Sequence, residues 1–329
     1  MPIAIVGAGR SGTSMLARIL NMCGVNLGDE SDLAHPNFMN EKGYWESPSI
    51  SAINDRICDY LKTTYGTQFA PPDGWHNDTA LEPIYADAHA SIDNLFVDGS
   101  EWAFKDPLTS FTIPFWRRVI PDLKFVVCMR NPIDVAASSA DWYLNDRSLS
   151  YAHWHVTYLT IFWEVGPKNC ALAFYEEMIA DYRDPLNRVL DFLHLPTVAQ
   201  GSDLDRKIRE FVDVGLKHHS SSIEDVRSKP GIPNPVRRLY IDMATHGIGT
   251  VLEEQLADRD ELLSIWRPVM EMMTVVDKFA KIEEKNMEYQ QILNSRTHRI
   301  AASFCKVLIR FSEFRKSIRR SPTAPSKEV

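Results

Sequence analysis

The chain has 329 residues, 44% hydrophobic and 24% charged, which suits one large α/β domain with an appendage and excludes a wholly disordered chain. A net charge of −8 argues against nucleic acid as a partner, because neutralising phosphates needs a basic surface. That charge is uneven: from Arg296 onward nine Lys/Arg face two acidic residues, so an acidic body ends in a basic tail.

Ile3 to Val6 is a short β-branched run that stops at glycines, the pattern of a buried parallel strand. After the loop Gly7–Ser14, Met15, Leu16, Ile19, Leu20 and Cys23 recur at helical spacing, and Gly24 ends the helix. Further strands are expected at Trp102–Lys105, Phe125–Met129 and Ala171–Phe174, with helices at Pro114–Val119 and Ile133–Leu144. Strands alternating with helices imply a parallel α/β sheet. Beyond Pro196 the pattern is helical, interrupted by Ser228–Pro235, whose prolines and glycine read as a linker. Leu252 to Leu293 reads as a long helix or short coiled coil. From Ile300, Phe304, Val307, Leu308, Phe311, Phe314 and Ile318 form an apolar stripe opposite Arg299, Lys306, Arg310, Lys316 and Arg320. Such a basic amphipathic helix suits an anionic membrane surface, or packing on protein.

Cys23, Cys58, Cys128, Cys170 and Cys305 are odd in number and never in C-x-x-C spacing, which suits reduced cysteines in a cytoplasmic protein and gives no metal site. His153 and His155 sit among aromatics and lack a third ligand, so they read as core or as acceptor-pocket lining. No signal peptide or membrane-spanning stretch is apparent.

The loop GAGRSGTS can be read two ways. Gly7, Gly9 and Gly12 spell the dinucleotide fingerprint, with Asp29 and Glu30 where a ribose-binding carboxylate belongs, although Val25–Gly28 makes a poor strand to carry it. Gly7 to Ser14 also nearly spell a phosphate loop, with Thr13 in place of its lysine and Arg10 available as the cation. The strand Phe125–Met129 then runs into Arg130 rather than a metal-binding carboxylate. An arginine at a strand's carboxyl end is a second anion contact, and Ser138 lies about two turns into the helix that Pro132 opens.

The stretch Arg130-Asn-Pro-Ile-Asp-Val-Ala-Ala-Ser138 resembles the sulfotransferase signature R-[DNH]-P-x-D-V-A-x-S, and GAGRSGTS resembles that family's 5′-phosphosulfate loop. Asn40-Glu-Lys-Gly-Tyr-Trp-Glu46, Lys105-Asp106-Pro107 and the Tyr175 strand-to-helix turn are similar to further family segments, as is Leu216-Lys217-His218-His219. Leu108 departs from the arginine that many members carry after the K-D-P triplet. The resemblance covers residues 2 to 245.

It implies a phosphate-loop-like parallel sheet flanked by helices, a sulfotransferase domain at 1–245 and a helical extension at 246–329. The implied donor is 3′-phosphoadenylyl sulfate (PAPS), without a metal. Arg10, Ser11, Gly12, Thr13 and Ser14 would hold its 5′ end, and Arg130 and Ser138 its 3′-phosphate. Glu46, with Glu41 in reserve, is the expected general base, and Lys105 a cation near the transferring group. Structural alternatives pair Arg130 with Asp134 and Lys105 with Asp106. Asn294–Arg299 resembles a tail segment of bacterial surface-polysaccharide enzymes, which points to a carbohydrate hydroxyl as acceptor. The expected setting is the cytoplasm, with 296–320 in peripheral contact with the inner membrane face. Rival readings are a nucleoside-triphosphate-dependent kinase and a nucleotide-binding scaffold.

Overall fold

The computed structural model describes residues 1–29, 33, 43–69, 71–96, 100–139, 147–166, 169–212, 221–248, 266–272 and 275. The expected sheet is there: β1 (Pro2–Val6), β2 (Trp102–Lys105), β3 (Lys124–Met129) and β4 (Cys170–Phe174) run parallel in the order β2-β1-β3-β4. Ala4 pairs with Phe104 on one side and with Phe125 on the other, and Met129 pairs with Phe174. All four carboxyl ends therefore face the same edge. The chain steps from β1 outward to β2, then back across to β3, so the order reverses between β1 and β3. Ligands of open parallel sheets bind in the crevice at such a point. Val25–Gly28 forms no strand, and Asn26 makes one isolated bridge to Trp102.

Strand residues are buried on both faces, which is why the strands read as unbroken apolar runs. Ile3, Ile5, Val126 and Cys128 share a core with Leu16 and Leu20 of α1 (Thr13–Met22) and with Val189 and Leu190 of α8 (Arg183–Phe192). Ala4, Val6, Phe125 and Val127 are buried on the opposite side, by strand alternation. There α4 (Thr109–Val119) packs on β1 and α6 (Arg147–Val165) packs on α4.

The remaining helices fill the intervals: α2 (Pro48–Tyr65), α3 (Glu82–Leu95), α5 (Pro132–Ser138), α7 (Tyr175–Asp181), α9 (Asp203–Phe211), α10 (Ile223–Ser228) and α11 (Asn234–His246). The Pro/Gly-rich stretch at 228–235 joins α10 to α11, and Pro235 sits in the first turn of α11, where it costs no hydrogen bond.

Two helix limits differ from the sequence reading. The helix expected to start at Pro114 starts at Thr109 and carries Pro114 inside it. The buried side chains Phe111, Ile113, Phe115 and Trp116 outweigh the one missing amide. The helix expected to reach Leu144 stops at Ser138, where the Ser139 amide and hydroxyl both bond the Val135 carbonyl. Residues 266–272 are helical, with Trp266 and Met270 buried. The chain divides into compact units at Met1–Thr274 and Val275–Val329. The long helix expected at 252–293 falls mostly, and the amphipathic tail wholly, outside the described residues.

A polar knot ties α2 to the sheet edge. The buried Asn54 amide donates to Asp106 Oδ1 (3.0 Å) and Thr109 Oγ1 (3.0 Å) and accepts from Thr112 Oγ1 (2.7 Å) and Trp116 Nε1 (2.8 Å). Asp106 also accepts from Ser51 Oγ (2.7 Å) and the Leu108 amide (2.8 Å). Asn54→Ala strands these buried groups and is expected to cost about 3 kcal/mol, read as a lowered urea midpoint at unchanged slope.

Candidate active site

The glycine loop follows β1 and ends where α1 begins, so the first amides of α1 point into the loop rather than along the helix. Two glycines are required by close approach. A Cβ on Gly7 would lie 2.4 Å from the Cys128 carbonyl oxygen of β3. A Cβ on Gly12 would lie 2.3 Å from the Tyr175 ring, and Gly12 has φ 89°, in the left-handed region. The Gly7 amide donates to Ser110 Oγ (3.2 Å) at the start of α4.

Ser11 is fully buried, and its hydroxyl meets the Tyr158 hydroxyl (2.9 Å), which itself donates to the Cys128 carbonyl (2.8 Å). The Ser11 side chain is therefore a loop anchor that faces the core. Thr13 is buried at the helix start and Ser14 is half-buried beside it.

Arg10 adopts φ 66°, uncommon for a residue with a side chain, and this turns its guanidinium toward α5. Its Nε donates to Ser138 Oγ at 2.9 Å across the β1–β3 switch. Arg130 donates from Nη1 to the Arg10 carbonyl (3.1 Å), and its guanidinium lies over the Tyr175 ring, 4.4 Å from the centroid. Arg130 Nε is buried without a hydrogen-bond partner among the described residues. Burial and the adjacent Arg130 charge hold Arg10 below the usual arginine value. Arg10 and Ser138 are thus joined directly, and Arg130 is tied to them through the Arg10 carbonyl, an arrangement able to hold an anion.

The Arg130–Asp134 pairing is not formed. Asp134 accepts from the Ser221 amide (3.1 and 3.2 Å) instead. Asn131 caps α5 through the Ile133 amide (3.0 Å) and donates to the Ser221 carbonyl (3.0 Å). The Trp154 indole fixes the Arg130 carbonyl (2.9 Å), and Glu176 accepts from the Asn131 amide (2.8 Å). Sequence reasoning gave no role to Tyr175 or Glu176. Their signal is position, since they directly follow β4 at the same edge. The segment 216–219 lies outside the described residues, just before Ser221.

At the end of β2, Lys105 is 3% exposed and its Nζ binds Glu46 Oε1 directly. The alternative Lys105–Asp106 bond is not formed, because Asp106 is taken up by Ser51, Asn54 and Leu108. The two sequence candidates for proton transfer and charge stabilisation are therefore one pair. Burial raises the Glu46 pKa, and Lys105 opposes that rise. Trp45, just before Glu46, has φ 57°, and Arg18 lies 4.4 Å from its ring centroid. Glu41 lies outside the described residues. His155 is buried near Trp266, with its pKa pushed down to about 3 by burial, and the His153 ring meets Phe69 and Phe111. Among the described residues no group of three or more His, Cys, Asp or Glu could hold a metal ion.

A glycine loop at a helix start, facing arginines across the reversal point of a parallel sheet, defines a phosphate-loop-like α/β protein. The chain belongs to the sulfotransferase family, whose sequence model matches residues 2–199. It is 26% identical over 168 residues to a putative protein-tyrosine sulfotransferase of Caenorhabditis elegans, covering 45% of this chain and 65% of that one. To protein-tyrosine sulfotransferase A of the same organism it is 22% identical over 173 residues, covering 50% and 43%. The alignments thus span less than two thirds of either relative's length. Among solved structures it is similar to the sulfotransferase domain of the Synechococcus PCC 7002 olefin synthase, with 16% identity, coverage of 74% and 94%, and a TM-score of 0.44.

Gly12→Ala pushes against Tyr175 and, through it, Arg130. A loss of about 1–3 kcal/mol is expected in chemical denaturation. Lys105→Met removes the cation opposing the burial of Glu46, so the Glu46 carboxyl is expected to titrate at higher pH than in the parent. Carbon-13 chemical shifts of labelled glutamate check this.

Proposed function

We propose that the protein is a sulfotransferase that moves a sulfuryl group from 3′-phosphoadenylyl sulfate to a carbohydrate hydroxyl. The observation that carries the donor assignment is the convergence of Arg10, Arg130 and Ser138 beside the glycine loop, with Arg130 Nε buried and unpartnered among the described residues. A donor with phosphates at both ends needs two cationic positions, one on the β1 loop and one after β3. Arg10 through Ser14 hold the 5′ end, with Ser11 as anchor, and Arg130 and Ser138 hold the 3′-phosphate.

Glu46 takes the acceptor hydroxyl's proton as the acceptor oxygen bonds to sulfur. The anhydride S–O bond breaks with its electron pair on the leaving phosphate oxygen, yielding 3′,5′-adenosine bisphosphate. Lys105 favours the ionised form of Glu46 until then, against the effect of burial, and afterwards faces the developing negative charge. A sulfonate carries less charge than a terminal phosphate, so positioning and these cations suffice without a divalent metal.

The carbohydrate acceptor is supported by the resemblance at Asn294–Arg299. A second reading, a protein tyrosine acceptor, is favoured by the names of the two nematode relatives. Both acceptors present a hydroxyl to the same base. Residues 1–245 form the catalytic domain and 246–329 a helical extension, with 296–320 resting on an anionic membrane from the cytoplasmic side. Among the described residues no helix is long and apolar enough to cross a membrane.

Calorimetric titration with 3′,5′-adenosine bisphosphate, 5′-AMP and ATP separates this reading from its rivals. Metal-free binding of the bisphosphate at least tenfold tighter than AMP is expected, and it should be lost in Arg130→Ala. Glu46→Gln should keep that affinity and lose transfer by about 10²-fold or more. Binding of ATP alone, dependent on Mg²⁺, would assign a kinase. Bisphosphate binding with unchanged properties in Glu46→Gln and no turnover would assign a scaffold.

A further inference from the structure

β3 and β4 leave the sheet side by side, and their last backbone pair is Met129 with Phe174. Beyond it β3 turns through Arg130 and Asn131 into α5, while β4 runs directly into α7. Pro132 opens α5 and has no amide, so the Asn131 N–H is the last backbone donor before that helix. Asn131 is fully buried, and its amide therefore needs a partner. Glu176 supplies one, its Oε1 accepting from the Asn131 amide at 2.8 Å. Asn131 and Glu176 each lie two positions past the Met129–Phe174 pair. The carboxyl group thus adds a side-chain rung where the backbone ladder has ended.

Arg130 lies between these two rungs, and Tyr175 lies between them on the other chain. The guanidinium over the Tyr175 ring is therefore held at both ends of its backbone, with Trp154 fixing the Arg130 carbonyl as well. Arg130 Nε and Glu176 Oε2 are both buried and both lack a hydrogen-bond partner among the described residues. Glu176 thus holds the turn without occupying the Nε edge of the arginine. Burial raises the Glu176 pKa, the Asn131 amide and Arg130 oppose that rise, and Asp134 adds to it. A carboxyl oxygen can accept from Asn131 in either protonation state, so the rung does not require the charge.

We propose that Glu176 is a positioning residue for the donor. Through the Asn131 amide it holds the Arg130 turn where the guanidinium meets the 3′-phosphate. This role rests on the donor reading above and deepens it.

The test is calorimetric titration of the full chain with 3′,5′-adenosine bisphosphate and with 5′-AMP. Glu176→Ala is expected to weaken the bisphosphate at least tenfold and to leave 5′-AMP within twofold. Glu176→Gln keeps an acceptor at full reach and should stay within threefold of the parent for both ligands. Glu176→Asp keeps the charge but is one methylene short, and should fall with Glu176→Ala. Glu177→Ala, on the exposed neighbour that pairs with Arg188, should change neither affinity. Should Glu176→Ala fail to fold, seen as lost 5′-AMP binding, the contrast between Gln and Asp decides. An unchanged preference for the bisphosphate in Glu176→Ala or Glu176→Asp would overturn the proposal. So would its loss in Glu176→Gln, or equal loss of both ligands in Ala and Asp, which would make the residue structural only. A parent without preference for the bisphosphate would instead remove the donor reading, and this role with it.

Discussion

The site depends on how closely the glycine loop is pressed into the end of β3. Gly7 lies so near the Cys128 carbonyl that no side chain fits, and Gly12 lies as near the Tyr175 ring. The Tyr158 hydroxyl sits beneath, joined to Ser11 and to the same Cys128 carbonyl. These groups are buried, so each bond left unmade would cost the desolvation of a polar atom, and few other loop positions satisfy them all. The height and tilt of the loop follow, and with them the direction of Arg10. Trp154 holds the Arg130 carbonyl, so the second arginine is fixed from the same helix that carries Tyr158.

The Glu46–Lys105 pair has a different support. Removing two charges from water is costly, and such a pair persists where its surroundings fix its geometry. Asp106, held by Ser51, Asn54 and Leu108, fixes the chain beside Lys105 and joins α2 to α4. α2 starts two residues after Glu46, so the same network sets where both members of the pair emerge. The unusual backbone of Trp45 falls on the segment carrying the proposed base. Conformational strain persists where neighbouring packing determines the chain, and Arg18 over the indole is part of that packing.

The strands were legible because both faces of a parallel sheet are buried, which writes each strand as a compact apolar run. The arginine and glycine motifs were legible because each lies within one short segment. The limits of α5 were not, since its last turn is closed by the Ser139 hydroxyl. α6 is buried over most of its surface, so its sequence shows no single stripe to mark a surface helix. Pairings between distant residues were beyond local patterns. Ser11 meets Tyr158 across 147 positions, Arg10 meets Ser138 across 128, and Lys105 chose Glu46 over its neighbour Asp106. Ser11 reads in sequence as a ligand-facing hydroxyl, and burial turns it into an anchor.

Arg10 and Arg130 belong to different strand ends yet are not independent. Arg130 donates to the Arg10 backbone, and burial together with the Arg130 charge lowers the Arg10 pKa. Two interacting like charges are unfavourable in the free protein, and negative charge brought to either relieves it. The relief is available to a ligand with negative charge at that point and is withheld from one that leaves it bare. On the proposed donor reading, a nucleotide whose 5′ end meets Arg10 while its 3′-phosphate meets Arg130 gains more than its direct hydrogen bonds. On the proposed donor reading, discrimination between donors is a property of the pair, and the contributions of the two arginines to it are coupled, not additive.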